Sequence, residues 1–145
     1  MDKVEIRPLD PASLPEVLNL LAASGLPEAG LAEHVATTLV ARVDGRIVGS
    51  AGLELYEGAA LLRSVAVDAA LRGRGVGGQL VESALALAQA RQVRELYLLT
   101  ETAADYFTRY GFVPVERAVV DPQVVGSVEF TTACPVSAQA MQLIF

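Results

Sequence analysis

The sequence predicts a mixed α+β domain, a mostly antiparallel sheet of about six to seven strands with about four to five helices inserted. Three observations carry this prediction. Apolar residues alternate at strand spacing in several short runs, and between those runs they recur at helical spacing. Two β-rich runs within 37–56 flank Asp44-Gly45, the strongest short-range hairpin signal in the chain. The composition is that of a globular chain: 145 residues, 52% apolar and 19% charged, enough to build one core.

Taken in order, "KVEIRPL" (3–9) alternates up to Pro8 and reads as a strand. In 11–25, Leu14, Val17, Leu18 and Leu21 fall on one helical face, and Gly25 closes the run. A short helix is expected at 28–35. The hairpin follows at 37–56, and "AALLRSVAV" (59–67) is a further strand after the turn at Glu57-Gly58. Val76, Leu80, Val81, Ala84, Leu87 and Ala88 make one apolar stripe, so a helix is predicted over about 75–91. "RELYLLT" (94–100) reads as a buried strand, "AADYFTRY" (103–110) as a helix closed by Gly111, and "FVPVERAVV" (112–120) as a strand. Asp121-Pro122 opens a further helical stretch as N-cap and first-turn proline. The tail at 136–145 reads as a last strand. Neither a repeat nor a linker breaks the pattern, so residues 1–145 are expected to form a single domain.

Charge and cysteine usage narrow the function. The net charge is −6, which argues against nucleic acid as the main partner, because phosphate backbones select basic faces. A lone cysteine, Cys134, cannot form an internal disulfide and fits a reducing cytoplasm. No secretory signal is expected from "MDKVEIRPLD", and no run is long and apolar enough for a membrane helix. Cysteine and histidine spacing suggests no zinc site, so no metal is expected.

Against this acidic background, residues 72–78, "RGRGVGG", carry four glycines and two arginines directly before the long helix. Arg63, Arg72 and Arg74 against Asp68 give a local +2. Three phosphate-binding patterns compete. A P-loop needs Lys-Ser or Lys-Thr after its last glycine, and the chain has neither. The dinucleotide pattern G-x-G-x-x-G fits Gly73, Gly75 and Gly78, but "DAALR" separates it from its strand and too little chain follows for the remaining βα units. The third is a pyrophosphate cradle, [QR]-x-x-G-x-[GA], matched by Arg72, Gly75 and Gly77. Its physics is direct. The first amides of a helix lack intrahelical acceptors, the helix start carries about half a positive charge, and glycine lets a phosphate approach.

With this cradle, the hairpin, "LLRSVAV", "LYLLT" and "AADYFTRYGF" in that order, the chain resembles the GNAT superfamily of acyl-coenzyme A N-acyltransferases over nearly its whole length. The resemblance implies helices on both faces of a sheet splayed at its centre, between strands 61–67 and 94–100. It implies acetyl-CoA as co-substrate, its pyrophosphate held by Arg72, Gly73, Arg74, Gly75, Val76, Gly77 and Gly78. The pantetheine arm would pair with Val65, Ala66 and Val67, a Val65 amide would face the developing oxyanion, and Thr100, Phe107 and Tyr110 would complete the coenzyme site. The tyrosine that many members use to protonate the departing sulfur is here Phe107, with Tyr106 and Tyr110 to either side.

Glu54, Glu57 and Glu101 are candidate bases, each with a solvated surface position as its plainer reading; Glu101 closes the strand beside the splay and is the preferred catalytic candidate. Arg63 shares one strand face with Leu61, Val65 and Val67, which points either to a buried ion pair or to a substrate contact. Arg63 and Tyr56 are the candidate substrate-binding residues.

The stretches 25–34, 48–56, 61–67, 97–107 and 129–141 also look like the arsenic-resistance N-acetyltransferases. That resemblance implies acetyl transfer to the amine of a small, anionic amino compound, such as an arsenic- or phosphorus-containing amino acid, by direct attack in a ternary complex. The alternative is an acyl-CoA-binding module without turnover. His34 reads as a packing residue and Cys134 as a small buried filler. The apolar end "LIF" (143–145) is explained by burial in the sheet or in a homodimer contact.

Overall fold

In a computed structural model the chain folds around one seven-stranded sheet, described for residues 3–145 except the side chain of Ala133. The strands are β1 (Glu5–Pro8), β2 (Thr38–Val43), β3 (Arg46–Leu55), β4 (Ala59–Val67), β5 (Glu95–Thr100), β6 (Val113–Val115) and β7 (Gln139–Ile144). Their spatial order is β1-β2-β3-β4-β5-β7-β6, and every neighbouring pair is antiparallel except β4 and β5. The helices are α1 (Leu14–Ala23), α2 (Val76–Ala90), α3 (Ala104–Thr108) and α4 (Pro122–Val125), joined by short 3₁₀ turns and one wide turn at Glu129–Ala133. The mixed, mostly antiparallel α+β fold is therefore the one expected.

Each face of the sheet takes its own helix. The α2 stripe of Leu80, Val81, Ala84 and Ala88 is buried against Leu39, Val48, Leu53, Leu62, Leu96 and Leu98. Val17 and Leu21 of α1 pack with Leu9, Leu31, Val40, Ile47 and Ala66 in a separate cluster. The hairpin turn has Asp44 at φ 52° and Gly45 at φ 78°, the paired left-handed residues that match strand twist.

Four expectations change. The strand expected at 112–120 shrinks to β6, followed by a 3₁₀ turn at Arg117–Val119. Pro114 lacks an N–H and sits in an edge strand, where such a gap is tolerated over only a few residues. The helix expected at 28–35 is a 3₁₀ segment, Leu31–Thr37, kinked at His34, whose carbonyl accepts from Thr38 Oγ1 at 2.8 Å. Arg63 and Leu61 do not share a face with Val65 and Val67. Ser64 takes φ 58°, and the register jumps from Gly52↔Arg63 to Ser50↔Ala66, so Ser64 and Val65 oppose the one residue Ala51. This β-bulge turns the strand over, sending Val65 and Val67 to the α2 face and Leu61 to the other. Glu54 is buried rather than solvated.

Gly49 of β3 sets how closely α2 approaches the sheet. A Cβ there would lie 2.7 Å from Leu80 Cδ1 and 3.1 Å from the Ala66 carbonyl oxygen. Leu80 can turn aside, but the backbone oxygen cannot. Gly49→Val is expected to destabilise the fold by about 1–3 kcal/mol, read as a lower urea midpoint at unchanged slope.

Candidate active site

Strands β4 and β5 pair only through Ala59↔Glu95, Ala60↔Leu96 and Leu61↔Tyr97. Beyond that they diverge. β4 stays on β3, β5 stays on β7, and a cleft of about 850 Å³ opens between them. The bulge at Ser64 falls just past the last shared pair, and its geometry is held from both sides: Ser50 Oγ donates to the Ser64 carbonyl at 2.7 Å, and Arg63 Nε donates to Ser64 Oγ at 3.1 Å. A left-handed serine costs on the order of 1 kcal/mol, so it persists because these contacts determine it.

The glycine-rich turn forms the second wall. Gly73 (φ 82°) and Gly75 (φ 81°) are both left-handed, which a Cβ would oppose. Gly75 is the N-cap of α2 and no side chain caps that end. The first helical bond at this end runs from Gln79 N–H to the Gly75 carbonyl, so the amides of Val76, Gly77 and Gly78 come before it. Arg72 Nε donates to the Val67 carbonyl at 3.2 Å, tying the turn to the end of β4.

Helix α3 closes the cleft from above. A Cβ on Gly77 would lie 3.1 Å from the Tyr106 hydroxyl, and one on Gly78 would lie 3.1 Å from that of Tyr110. Both rings thus lean over the first turn of α2, and the Tyr110 hydroxyl donates to that of Tyr106 at 3.1 Å. Burial pushes the Tyr106 phenol up to about 12, so it stays protonated at neutral pH. Phe107 packs edge-on to both Tyr106 at 5.2 Å and Phe112 at 5.9 Å, buried in the core where the core meets the cleft. The sequence reading named Tyr106 without giving it a place in the site. The signal was present, since residues four apart on a helix share a face.

The third wall holds charge. Arg63 and Glu54 are both buried and meet at 2.8 Å. Arg63 Nη2 donates to the Ala29 carbonyl at 2.7 Å and lies 3.6 Å from Glu129 Oε2. Burial alone would raise the Glu54 carboxyl, but hydrogen bonds from Arg63, Ser127 and Tyr56 and the Arg63 charge together hold it below the usual range. Of the two readings of Arg63, the buried pair is present, at the edge of the cleft.

Fourteen of the expected residues line this one cleft: Arg63, Val65, Ala66, Val67, Arg72, Gly73, Gly75, Val76, Gly77, Gly78, Thr100, Glu101, Phe107 and Tyr110. Two do not. Arg74 projects into solvent between two left-handed glycines. Tyr56 lies behind the ion pair, its hydroxyl donating to Glu54 Oε1 at 2.7 Å. Thr100 Oγ1 accepts from the Ala103 N–H at 3.0 Å, and Glu101 is exposed at the rim. Glu129, Ser64, Tyr106 and Cys134 also line the cleft without having been singled out for it. Among the described residues no group of three or more His, Cys, Asp or Glu could hold a metal, and no helix is long and apolar enough to cross a membrane.

A family model described as an acetyltransferase (GNAT) domain matches residues 34–114, more than half of the chain. The chain belongs to the GNAT family. The matched residues run from the hairpin through the cradle and α3 to β6, so the cleft lies within them except for Ser24–Pro27 and the Glu129–Ala138 region. An amino-acid acetyltransferase of Mycobacterium tuberculosis is 35% identical to this GNAT domain over 82 residues, 55% of this chain and 46% of that protein. The match thus spans about half the length of the curated relatives. Among solved structures, Rv2747 from Mycobacterium tuberculosis in complex with CoA and NLQ superposes with a TM-score of 0.83 at 24% identity, covering 97% of this chain and 99% of that one. N-acetylglutamate synthase from Neisseria gonorrhoeae, complexed with CoA and N-acetyl-glutamate, gives 0.83 at 16% identity over 98% of this chain and 35% of the other. At those identities the likeness shows the GNAT fold.

Proposed function

We propose that this GNAT domain transfers an acetyl group from acetyl-CoA to the amine of a small amino compound, by direct attack in a ternary complex. The observation that carries the reading is the divergence of β4 from β5 directly beside the uncapped, glycine-rich start of α2. The residues present fit the coenzyme. The left-handed Gly73 and Gly75, the first α2 amides and Arg72 suit a pyrophosphate. The edge of β4 at Val65, Ala66 and Val67, left unpaired by β5, suits a pantetheine arm added as a strand. Acetyl-CoA supplies the activated thioester carbon; the protein contributes position and hydrogen-bond donors. Val65 stands in the bulge, where the register shifts, and its amide is the proposed oxyanion donor. Thr100, Phe107 and Tyr110 complete the coenzyme walls, and Glu101 is within the cleft rim as a candidate base.

An amino acid as acceptor is supported by the names of the relatives above. The narrower reading, an anionic arsenic- or phosphorus-containing amino acid, rests on the stretches that look like the arsenic-resistance branch. Residues 1–145 are read as one such domain, in a cytoplasmic setting suited to its lone thiol. A homodimer is part of the same reading, because Val113, Ile144 and Phe145 leave apolar surface exposed near β6 and β7. One observation favours a second reading, a coenzyme-binding module without turnover: Phe107 is packed into the core and offers the sulfur no proton.

A thiol-release assay with acetyl-CoA and a panel of amino acids, with product mass measured, separates the two. Acetylated product with stoichiometric thiol supports the enzyme. Coenzyme binding with no product from any amine supports the module.

A further inference from the structure

Among the described residues, one buried side-chain oxygen has no hydrogen-bond partner, Oε2 of Glu129. The side chain is 5% exposed and lines the cleft. Its own amide donates to Ser127 Oγ at 3.1 Å, which fixes the start of the wide turn. Buried polar groups are nearly always paired, and an unpaired carboxylate is costly, so this oxygen demands a reason.

The charges around it supply one. Arg63 on β4 is 3.6 Å away, beyond hydrogen-bond range, and each of its three nitrogens already donates elsewhere, to Ser64 Oγ, Glu54 and the Ala29 carbonyl. Glu54 on β3 takes the guanidinium charge. His34 lies behind Glu54 at 3.9 Å. Burial, and then the Glu129 carboxylate it faces, push the Cys134 thiol up to about 12, and Glu101 after β5 adds more negative charge. Two buried carboxylates thus share one guanidinium, and the group lacks a cation on its cleft side. Arg63 immediately precedes the bulge at Ser64 and Val65, so the gap lies next to the strand edge read above as the thioester site.

We infer that Glu129 receives the ammonium group of the acceptor and accepts its proton. This rests on the acetyl-transfer reading and replaces Glu101 as the base. The ammonium gives one proton to Oε2. The freed amine attacks the thioester carbon, a C–N bond forms, and the C–S bond breaks with its electron pair on sulfur. The second amine proton goes through solvent to that sulfur, and the Glu129 proton returns to solvent on release. Burial moves the Glu129 carboxyl above the ordinary glutamate range, with Arg63 opposing, which brings it nearer to a working base at neutral pH.

Glu129→Gln keeps the shape and removes the charge. Because Oε2 makes no protein hydrogen bond, the variant should melt no lower than the parent and bind CoA within about twofold. Its kcat/KM for the amine should fall by about a hundredfold, and the decline in kcat/KM on the acid side of the pH profile should disappear. A purely structural glutamate would instead lower the melting temperature and CoA affinity together, which would overturn the inference. So would near-parental kcat/KM in Glu129→Gln, or loss of the acid-side decline in Glu101→Gln alone. Failure of the parent protein to acetylate any amine would overturn the acetyl-transfer reading, and this inference with it.

Discussion

Arg63→Met is expected to destabilise the fold by about 3–5 kcal/mol, a large part of the stability of a domain this size. The side chain is fully enclosed, and it holds together the loop before the 3₁₀ segment through Ala29, the bulge through Ser64, and β3 through Glu54. Methionine fills much of the volume but leaves Glu54 and Glu129 buried with no cation between them. The penalty should depend on pH with a definite sign. In the parent, Glu54 is held below its ordinary value, so its contribution is complete above about pH 4.3 and fades as pH falls through the lowered value. In the variant the Arg63 bond and charge are gone and burial dominates, raising the carboxyl. Protonation then favours the folded variant, and the stability gap should narrow between pH 7 and pH 5. Glu54→Gln placed in the Arg63→Met background should recover part of the loss, although Glu54→Gln alone destabilises. Urea titrations of the four proteins in this cycle, at both pH values, measure the coupling. A loss under about 1 kcal/mol, or one independent of pH, would mean that the pair is not what holds the bulge.

The same cluster marks where sequence reasoning stopped. Local geometry was readable. Asp44-Gly45 declared its hairpin because left-handed residues suit that turn, and Arg72, Gly75 and Gly77 declared the cradle by their spacing before a helix start. The α2 stripe followed from its spacing, and the placing of Tyr106 and Tyr110 together over the cradle is contained in the four-residue repeat of a helix. Arg63 was readable as an anomaly, a charge among apolar neighbours. Its partners were not, because Glu54 and Glu129 reach it from β3 and from a turn near the end of the chain, and no local rule joins such distant positions. The bulge at Ser64 was hidden for a related reason. It exists because β3 offers one residue, Ala51, against two on β4, so it belongs to the pair of strands and not to either sequence. That single extra residue misdirected the face assignment of Val65 and Val67. The shortness of β6 was nearer the surface, since Pro114 announced an edge strand.

Gly75→Val is expected to weaken CoA binding by at least about tenfold, or about 1.4 kcal/mol, with the fold largely retained. Gly75 sits at φ 81° and ψ 4°, and a Cβ there would meet nothing within 4 Å. The cost is therefore conformational and not a clash. Valine in the left-handed region loses on the order of 1–2 kcal/mol, and the chain can escape only by turning the residue back to negative φ. Either response moves the amides of Val76, Gly77 and Gly78, which must converge on one anion to act together. Asparagine tolerates the left-handed region, so Gly75→Asn should retain affinity within a few-fold. Gly45→Val gives the control for stability: Gly45 has φ 78° and equally open surroundings, but it belongs to the hairpin turn and does not line the cleft. It should cost similar stability and leave CoA affinity unchanged. Calorimetric titration of CoA into the three variants, with melting curves for each, separates strain from binding. Equal affinity in Gly75→Val and the parent would remove the start of α2 from the coenzyme site.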